Sequence, residues 1–193
     1  MMPSPVRPTA ASIAKFLDDA ARLEYSPTVV RLIAGDEPSG FLHDRNRRMI
    51  GLGDAVFERA RQAIASWQMF RLGWIEVEPP GSPIEIGRTV AILARTIGLW
   101  TLNPARIFRT IDDPKEFGFV YGSLPGHSEE GIEQFSVARD PADDSVWYAL
   151  HAVSRPGRLF TKLAYPMTRR VQRRFAIDSM DAMATIVGQG GRS

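Results

Sequence analysis

Hydrophobic residues recur along this chain with two periods, and the switch between them divides it into segments. From Ser12, whose hydroxyl can cap a helix, Ile13, Phe16, Leu17, Ala20 and Leu23 fall on one helical face, and Tyr25-Ser26-Pro27 ends the pattern. Val29 to Pro38 fits neither period, and Asp36-Glu37-Pro38-Ser39-Gly40 reads as a turn or linker. Phe41 to Ile50 is polar and rich in arginine, which suits an edge strand. Gly51-Leu52-Gly53-Asp54 leads into a helix to about Phe70, with Asp54 as its cap and Phe57, Ala60, Ile64 and Trp67 at helical spacing. Beyond it the period becomes 2. Trp74–Glu78, Ile86–Ile97, Leu102–Ile111, Phe117–Leu124, Ile132–Arg139 and Val146–Arg155 are six further strands. The breaks between them, such as Asp112-Asp113-Pro114 and Pro125-Gly126, are turn chemistry, so consecutive strands pair as an antiparallel meander.

Helical spacing returns at the C-terminal end. Pro156 is acceptable in a first turn, and Leu159, Leu163, Met167, Val171 and Phe175 step by four, with Met180, Met183 and Val187 extending the stripe. The pattern therefore predicts one long helix from Pro156 to about Val187, kinked at Pro166. The fold class is α+β: a curved antiparallel sheet of about seven strands wrapped on that helix. Residues 1–40 form an N-terminal arm with a short helix, residues 41–188 the domain of sheet and long helix, and residues 189–193 a disordered tail. A long helix laid across a curved sheet leaves a space, and such spaces hold ligands.

Composition removes several classes of function. With no cysteine there is no disulfide framework or thiolate chemistry, which suits a cytoplasmic protein. The longest apolar runs, such as Val90–Ala94, are far too short to cross a bilayer. The three histidines, His43, His127 and His151, are too scattered for metal-ligand spacing, and the sequence gives no reason to expect a metal or a cofactor. No P-loop, G-x-G-x-x-G or G-x-S-x-G motif occurs. The net charge of +2 conceals one basic run: Arg155, Arg158, Lys162, Arg169, Arg170, Arg173 and Arg174 lie together with no intervening acid. Such a run is usually the solvated face of a helix. It can also contact lipid headgroups, whereas nothing accompanies it that reads nucleic acid.

The densest chemistry lies in Phe117–Phe135. As a strand, its first part places Phe117, Phe119, Tyr121 and Ser123 on one face and Gly118, Val120, Gly122 and Leu124 on the other. The two glycines remove side chains where a helix or a ligand must approach the backbone. After the Pro125-Gly126 turn, Glu133 falls on the same face as Phe135 and Val137, so its carboxyl points toward an apolar interior. Burial there raises its pKa unless a donor meets it, and Tyr121 and His127 can supply one. The plainer reading makes Glu133 an inward acid paired with Arg106 or Arg109, and His127 a turn histidine whose ring satisfies local carbonyls. Trp74, Phe119 and Phe135 belong either to the core or to a cavity wall.

The chain also resembles a known family. Gly51-Leu52-Gly53, Gly73-Trp74, Asn103-Pro104-Ala105-Arg106, the element Tyr121-Gly122-Ser123-Leu124-Pro125-Gly126-His127, Glu133 with Phe135, and Ser154-Arg155-Pro156 carry a resemblance to the bacterial and plant domain-of-unknown-function family "nineteen-ninety". That family is similar to the START-like superfamily of helix-grip proteins, which includes polyketide cyclases and lipid-transfer domains. The resemblance implies the same sheet and gripping helix, and supplies no activity. Ile132 stands where it would put a second glutamate beside Glu133.

The resulting expectation is a domain that holds a small hydrophobic or amphipathic molecule between sheet and helix. Its site residues are Tyr121, His127, Glu133, Phe119, Phe135, Trp74 and Arg106. The alternatives are a general acid/base enzyme (cyclase, isomerase or hydrolase) using His127 or Glu133 in the same pocket, and an interaction module that docks the basic helix on an acidic partner or a membrane surface.

Overall fold

A computed structural model of the chain describes residues 3–36, 38–157 and 165–189. Seven strands form one antiparallel sheet in the order β1-β7-β6-β5-β4-β3-β2. They are β1 (Leu42–Leu52), β2 (Ile75–Glu78), β3 (Thr89–Thr96), β4 (Leu99–Asp113), β5 (Glu116–Ser123), β6 (Glu129–Arg139) and β7 (Ser145–Pro156). From β2 to β7 each strand pairs with the next, and the arginine-rich β1 sits on the edge beside β7, as the pattern predicts. The helices are α1 (Ala10–Ala20), α2 (Pro27–Ile33), α3 (Asp54–Ala65) and α4 (Tyr165–Gln189). Among the described residues no helix is long and apolar enough to cross a membrane.

Curvature comes from identifiable local causes. The β4–β5 register slips between Ile107 and Arg109, and the β1–β7 register between Met49 and Gly51, each a bulge that bends its strand. Two strand glycines lie where neighbouring backbone closes in. A Cβ on Gly118 would come within 2.3 Å of the Phe135 carbonyl oxygen, and one on Gly131 within 2.1 Å of that of Val153. Gly122 meets side chains instead: a Cβ there would approach Tyr25, just before α2, at 2.9 Å and Val29 of α2 at 3.1 Å.

The concave face carries the main core. Phe119, Phe135, Val137, Tyr148 and Leu150 pack against Phe57, Ala60 and Ile64 of α3, the Trp67–Phe70 segment, and Phe175, Met180, Met183 and Val187 of α4. On the convex face Ile13 of α1 covers Ala91, Leu93 and Leu102. The ambiguous stretch after Tyr25 is α2, started by Ser26, whose hydroxyl accepts the Val29 amide at 3.3 Å.

Several local expectations are corrected. Pro156 closes β7 rather than opening the last helix, because the β6–β7 ladder runs on to the pair Glu129 and Pro156. Leu159, Leu163, Arg158 and Lys162 lie outside the described residues. The described part of α4 begins at Tyr165, so the kink expected at Pro166 falls at the border of the described residues. Thr9, not Ser12, caps α1 by accepting the Ser12 amide at 3.2 Å. Asp54 is the first residue of α3 after Gly53, and its carboxylate pairs with Arg139 instead of capping.

Replacing Gly118 by alanine forces a methyl group into backbone that cannot retreat, and should cost at least about 1–3 kcal/mol. Gly188→Ala faces open space within α4 and should be neutral or stabilising by up to about 1 kcal/mol. Urea unfolding of the two variants measures the contrast.

Candidate functional site

Strand alternation decides which polar groups face inward. Tyr121 on β5 stands directly opposite Glu133 on β6, one step from the pair Phe119 and Phe135, so all four share the concave face. The Tyr121 hydroxyl donates to Glu133 Oε2. One step the other way is Gly131, whose amide donates to Ser123 Oγ at 2.9 Å. The aromatic residues below the pair are packed solid: Phe119 stacks on Phe135 at 5.4 Å between ring centres and meets Trp67 at 4.6 Å.

Above that filled half the sheet and α4 diverge around a cavity of about 430 Å³. Phe70, Ile92, Leu150 and Phe175 give it apolar walls; Tyr121, His127, Glu129 and Glu133 bring polar groups into it. Exposed Ile97 and Leu99, at the β3–β4 turn, and exposed Met167 of α4 form part of its rim.

The electrostatics of the chamber are set by desolvation. Glu133 is half-buried and lines the chamber. Burial pushes its carboxyl up to about 8; the Tyr121 hydrogen bond pulls it down, and Glu129 and Asp44 push it up again. Burial, then the charge of Glu133, raises the Tyr121 phenol well above its ordinary value, so it keeps its proton and remains the donor. At neutral pH Glu133 is mostly protonated and can itself donate into the cavity. Glu129 is also raised by burial, while Ser154 Oγ at 2.8 Å and Gln172 Nε2 at 2.6 Å donate to its Oε2 and oppose that rise. Asp44 behaves oppositely. Arg169 of α4 grips both of its oxygens, with Nη2 2.7 Å from Oδ1, and holds it below the usual carboxylate range.

Of the residues expected from sequence, Tyr121, His127 and Glu133 line the cavity. The donor to Glu133 is Tyr121. His127 sits on the turn, and its Nδ1 accepts the Glu129 amide at 3.0 Å. Phe119 and Phe135 lie in the packed core beneath the cavity and do not line it. Trp74 is also off the lining. Its indole donates to Asp178 of α4 at 2.7 Å under the guanidinium of Arg174, and so fastens the helix to the sheet.

Arg106 neither lines the cavity nor pairs with Glu133. It occupies the convex side of β4, where it donates to Thr89 Oγ1 and to the carbonyls of Ala20 and Ala21. Alternation explains this, since its neighbours Ala105 and Ile107 take the concave positions. Arg109 donates to Gln134 instead.

Glu129, Asp44, Asn103 and Gln172 were missed. Glu129 lies four residues before Glu133 on the same side of one strand, a relation hidden by starting that strand at Ile132. Asn103 holds the turn through its Oδ1, which accepts the Ser128 amide at 3.0 Å. Adjacent strand residues face opposite sides, so a glutamate side chain at position 132 would point away from that of Glu133.

This combination of curved sheet, gripping helix and Y-G-S-L-P-G-H turn matches a recognised family model, the domain of unknown function DUF1990, over residues 24–182. The chain belongs to the DUF1990 family. A UPF0548 protein of Dictyostelium discoideum is 36% identical over 161 residues, covering 78% of this chain and 74% of its own. A UPF0548 protein of Deinococcus radiodurans is 34% identical over 184 residues, covering 88% and 90%. Among solved structures, a hypothetical protein of Helicobacter pylori superimposes with a TM-score of 0.55 at 10% identity, covering 84% of this chain and 94% of its own. At that identity the likeness shows the fold alone. The architecture is a helix-grip one, a curved antiparallel sheet of seven strands closed on α4.

Because Glu133 binds its proton more tightly folded than at its ordinary value of 4.5, its contribution to stability is full below about 4.5 and is lost as pH rises through about 8. In Glu133→Gln that loss should disappear. The variant should gain on the parent across this window, by an amount on the order of a few kcal/mol, and be the more stable protein above pH 8. Thermal unfolding of both proteins at pH 5, 7 and 9 tests the sign.

Proposed function

We propose that this DUF1990 protein binds a small hydrophobic or amphipathic molecule between its concave sheet and α4, with the ligand's polar end at Tyr121 and Glu133. The observation that carries the reading is a hydrogen-bonded phenol and carboxyl at the border between a solid aromatic core and an open, mostly apolar chamber of about 430 Å³. A folded chain has little reason to bury an acid beside a space unless something comes to occupy that space. Ile92, Leu150 and Phe175 hold the body of the ligand, and His127 and Asn103 fix the turn at the chamber's edge.

The basic run supports docking to an acidic surface less well. Arg155 pairs with Glu130, Arg169 with Asp44 and Arg174 with Asp178, so much of its charge is spent within the molecule.

One observation favours a second, catalytic reading in the same place. A carboxyl raised to about 8 can both give and take a proton near neutrality, as general acid/base work on a bound carbonyl compound requires. Turnover that survives both Glu133→Ala and His127→Ala removes that reading.

Ala152 lies opposite Glu133 on β7 and lines the chamber. Ala152→Trp should fill it. The environment-sensitive probe N-phenyl-1-naphthylamine should bind the parent and bind this variant at least about tenfold more weakly, with the variant still folded by circular dichroism. Equal binding by both proteins overturns the pocket reading. Native mass spectrometry of the protein from its own cells should show a retained small molecule.

A further inference from the structure

The charges around the chamber select what can occupy it. Three carboxyl groups face it: Glu133 and Glu129 from β6, and Asp44 from β1. They differ in their partners. Asp44 is neutralised by Arg169, which grips both of its oxygens. Glu129 is met by a hydroxyl and an amide, Ser154 and Gln172, and Glu133 by a phenol, Tyr121. These neutral donors satisfy hydrogen bonding and cancel no charge; at Glu129 the charge of Arg169 opposes that of Asp44. Glu129 and Asp44, both acidic, act on Glu133 and raise it. On the other packed elements, Tyr148 of β7 is a buried neutral phenol bonded to Ser179 of α4, and His127 lies on the turn. Arg173 of α4 is exposed at the border.

An anion entering this space would meet acidic groups of β1 and β6 and could be held only while Glu133 keeps its proton. A cation would supply a counter-charge to Glu133, and the aromatic rings of Tyr121, Phe70 and Phe175, which line the space, attract cations. We propose that the chamber takes a hydrophobic organic amine, its ammonium held at Glu133 and Tyr121 and its apolar body against Phe70 and Phe175, and that it discriminates against anionic amphiphiles of the same size. The inference rests on the pocket reading above and names its ligand class.

Proton linkage gives it a signature. Below pH 8 the empty site holds a proton on Glu133, and an ammonium displaces that proton as it binds. Amine affinity therefore rises about tenfold per pH unit up to about 8 and levels off. A neutral ligand shows no such rise. A carboxylate, which needs Glu133 to stay protonated, loses affinity as pH rises through 8.

The experiment is titration calorimetry of the full chain with n-octylamine, n-octanol and n-octanoate, in two buffers of different ionisation enthalpy, at pH 6, 7 and 8. Octylamine should bind at least about tenfold more tightly than octanol, octanoate more weakly than either, with close to one proton released per amine at pH 6 to 7. Glu133→Gln should remove both the amine preference and the proton release, with the variant still folded by circular dichroism. If octanol binds and the amine gains nothing over it, or if octanoate binds best, the amine assignment is wrong and the pocket survives. If none of the three probes nor N-phenyl-1-naphthylamine binds, the pocket reading fails and the assignment with it.

Discussion

A strongly curved sheet presents more concave surface than one helix can cover, and the architecture follows from how the excess is handled. The bulges in β1 and β4 and the close approaches at Gly118 and Gly131 bend the strands. In one half of the concavity, α3, the Trp67–Phe70 turn and the second half of α4 fill the space with side chains such as Phe70, Ile64 and Met183. The other half lies under the first turns of α4, which contribute Arg169, Gln172 and Val171 rather than a continuous apolar stripe. Among the described residues those turns leave the interior there open.

Glu133 stands on the boundary between the two halves. Setting a carboxyl there costs desolvation energy that a methionine or leucine would not, and a single phenolic hydrogen bond offsets only part of it. The remainder is held in the folded state, which the aromatic packing below is large enough to carry. The same imbalance makes the group responsive: it is poised to exchange a proton or accept a counter-charge, because nothing around it has settled its ionisation.

Most of the sheet could be read directly because the meander has short connections and each strand buries alternate residues, so period 2 survived in the sequence from Ile75 to Pro156. The face of Glu133 and its donor Tyr121 followed from the same alternation. Errors arose where the deciding fact was a contact between distant segments. The side of β4 on which Arg106 lies depends on its register with β3 and β5, and Pro156 belongs to a ladder whose other rail begins at Glu129. Asp44 and Gln172 belong to the chamber only because β1 closes the sheet edge beneath α4, a juxtaposition with no local signal.

Trp74 was expected to touch a ligand and instead touches the helix above it. The other three indoles are occupied elsewhere: Trp67 donates to the Ser82 carbonyl, Trp147 to Ser145, and Trp100 lies beneath Arg7 and Arg95. Trp74 alone among them is clasped by side chains of α4, a carboxylate on its nitrogen and a guanidinium over its ring. The protein thus carries a native optical gauge of how its roof is seated, and a chain in which the other three are phenylalanine would report the helix's position by emission without a label.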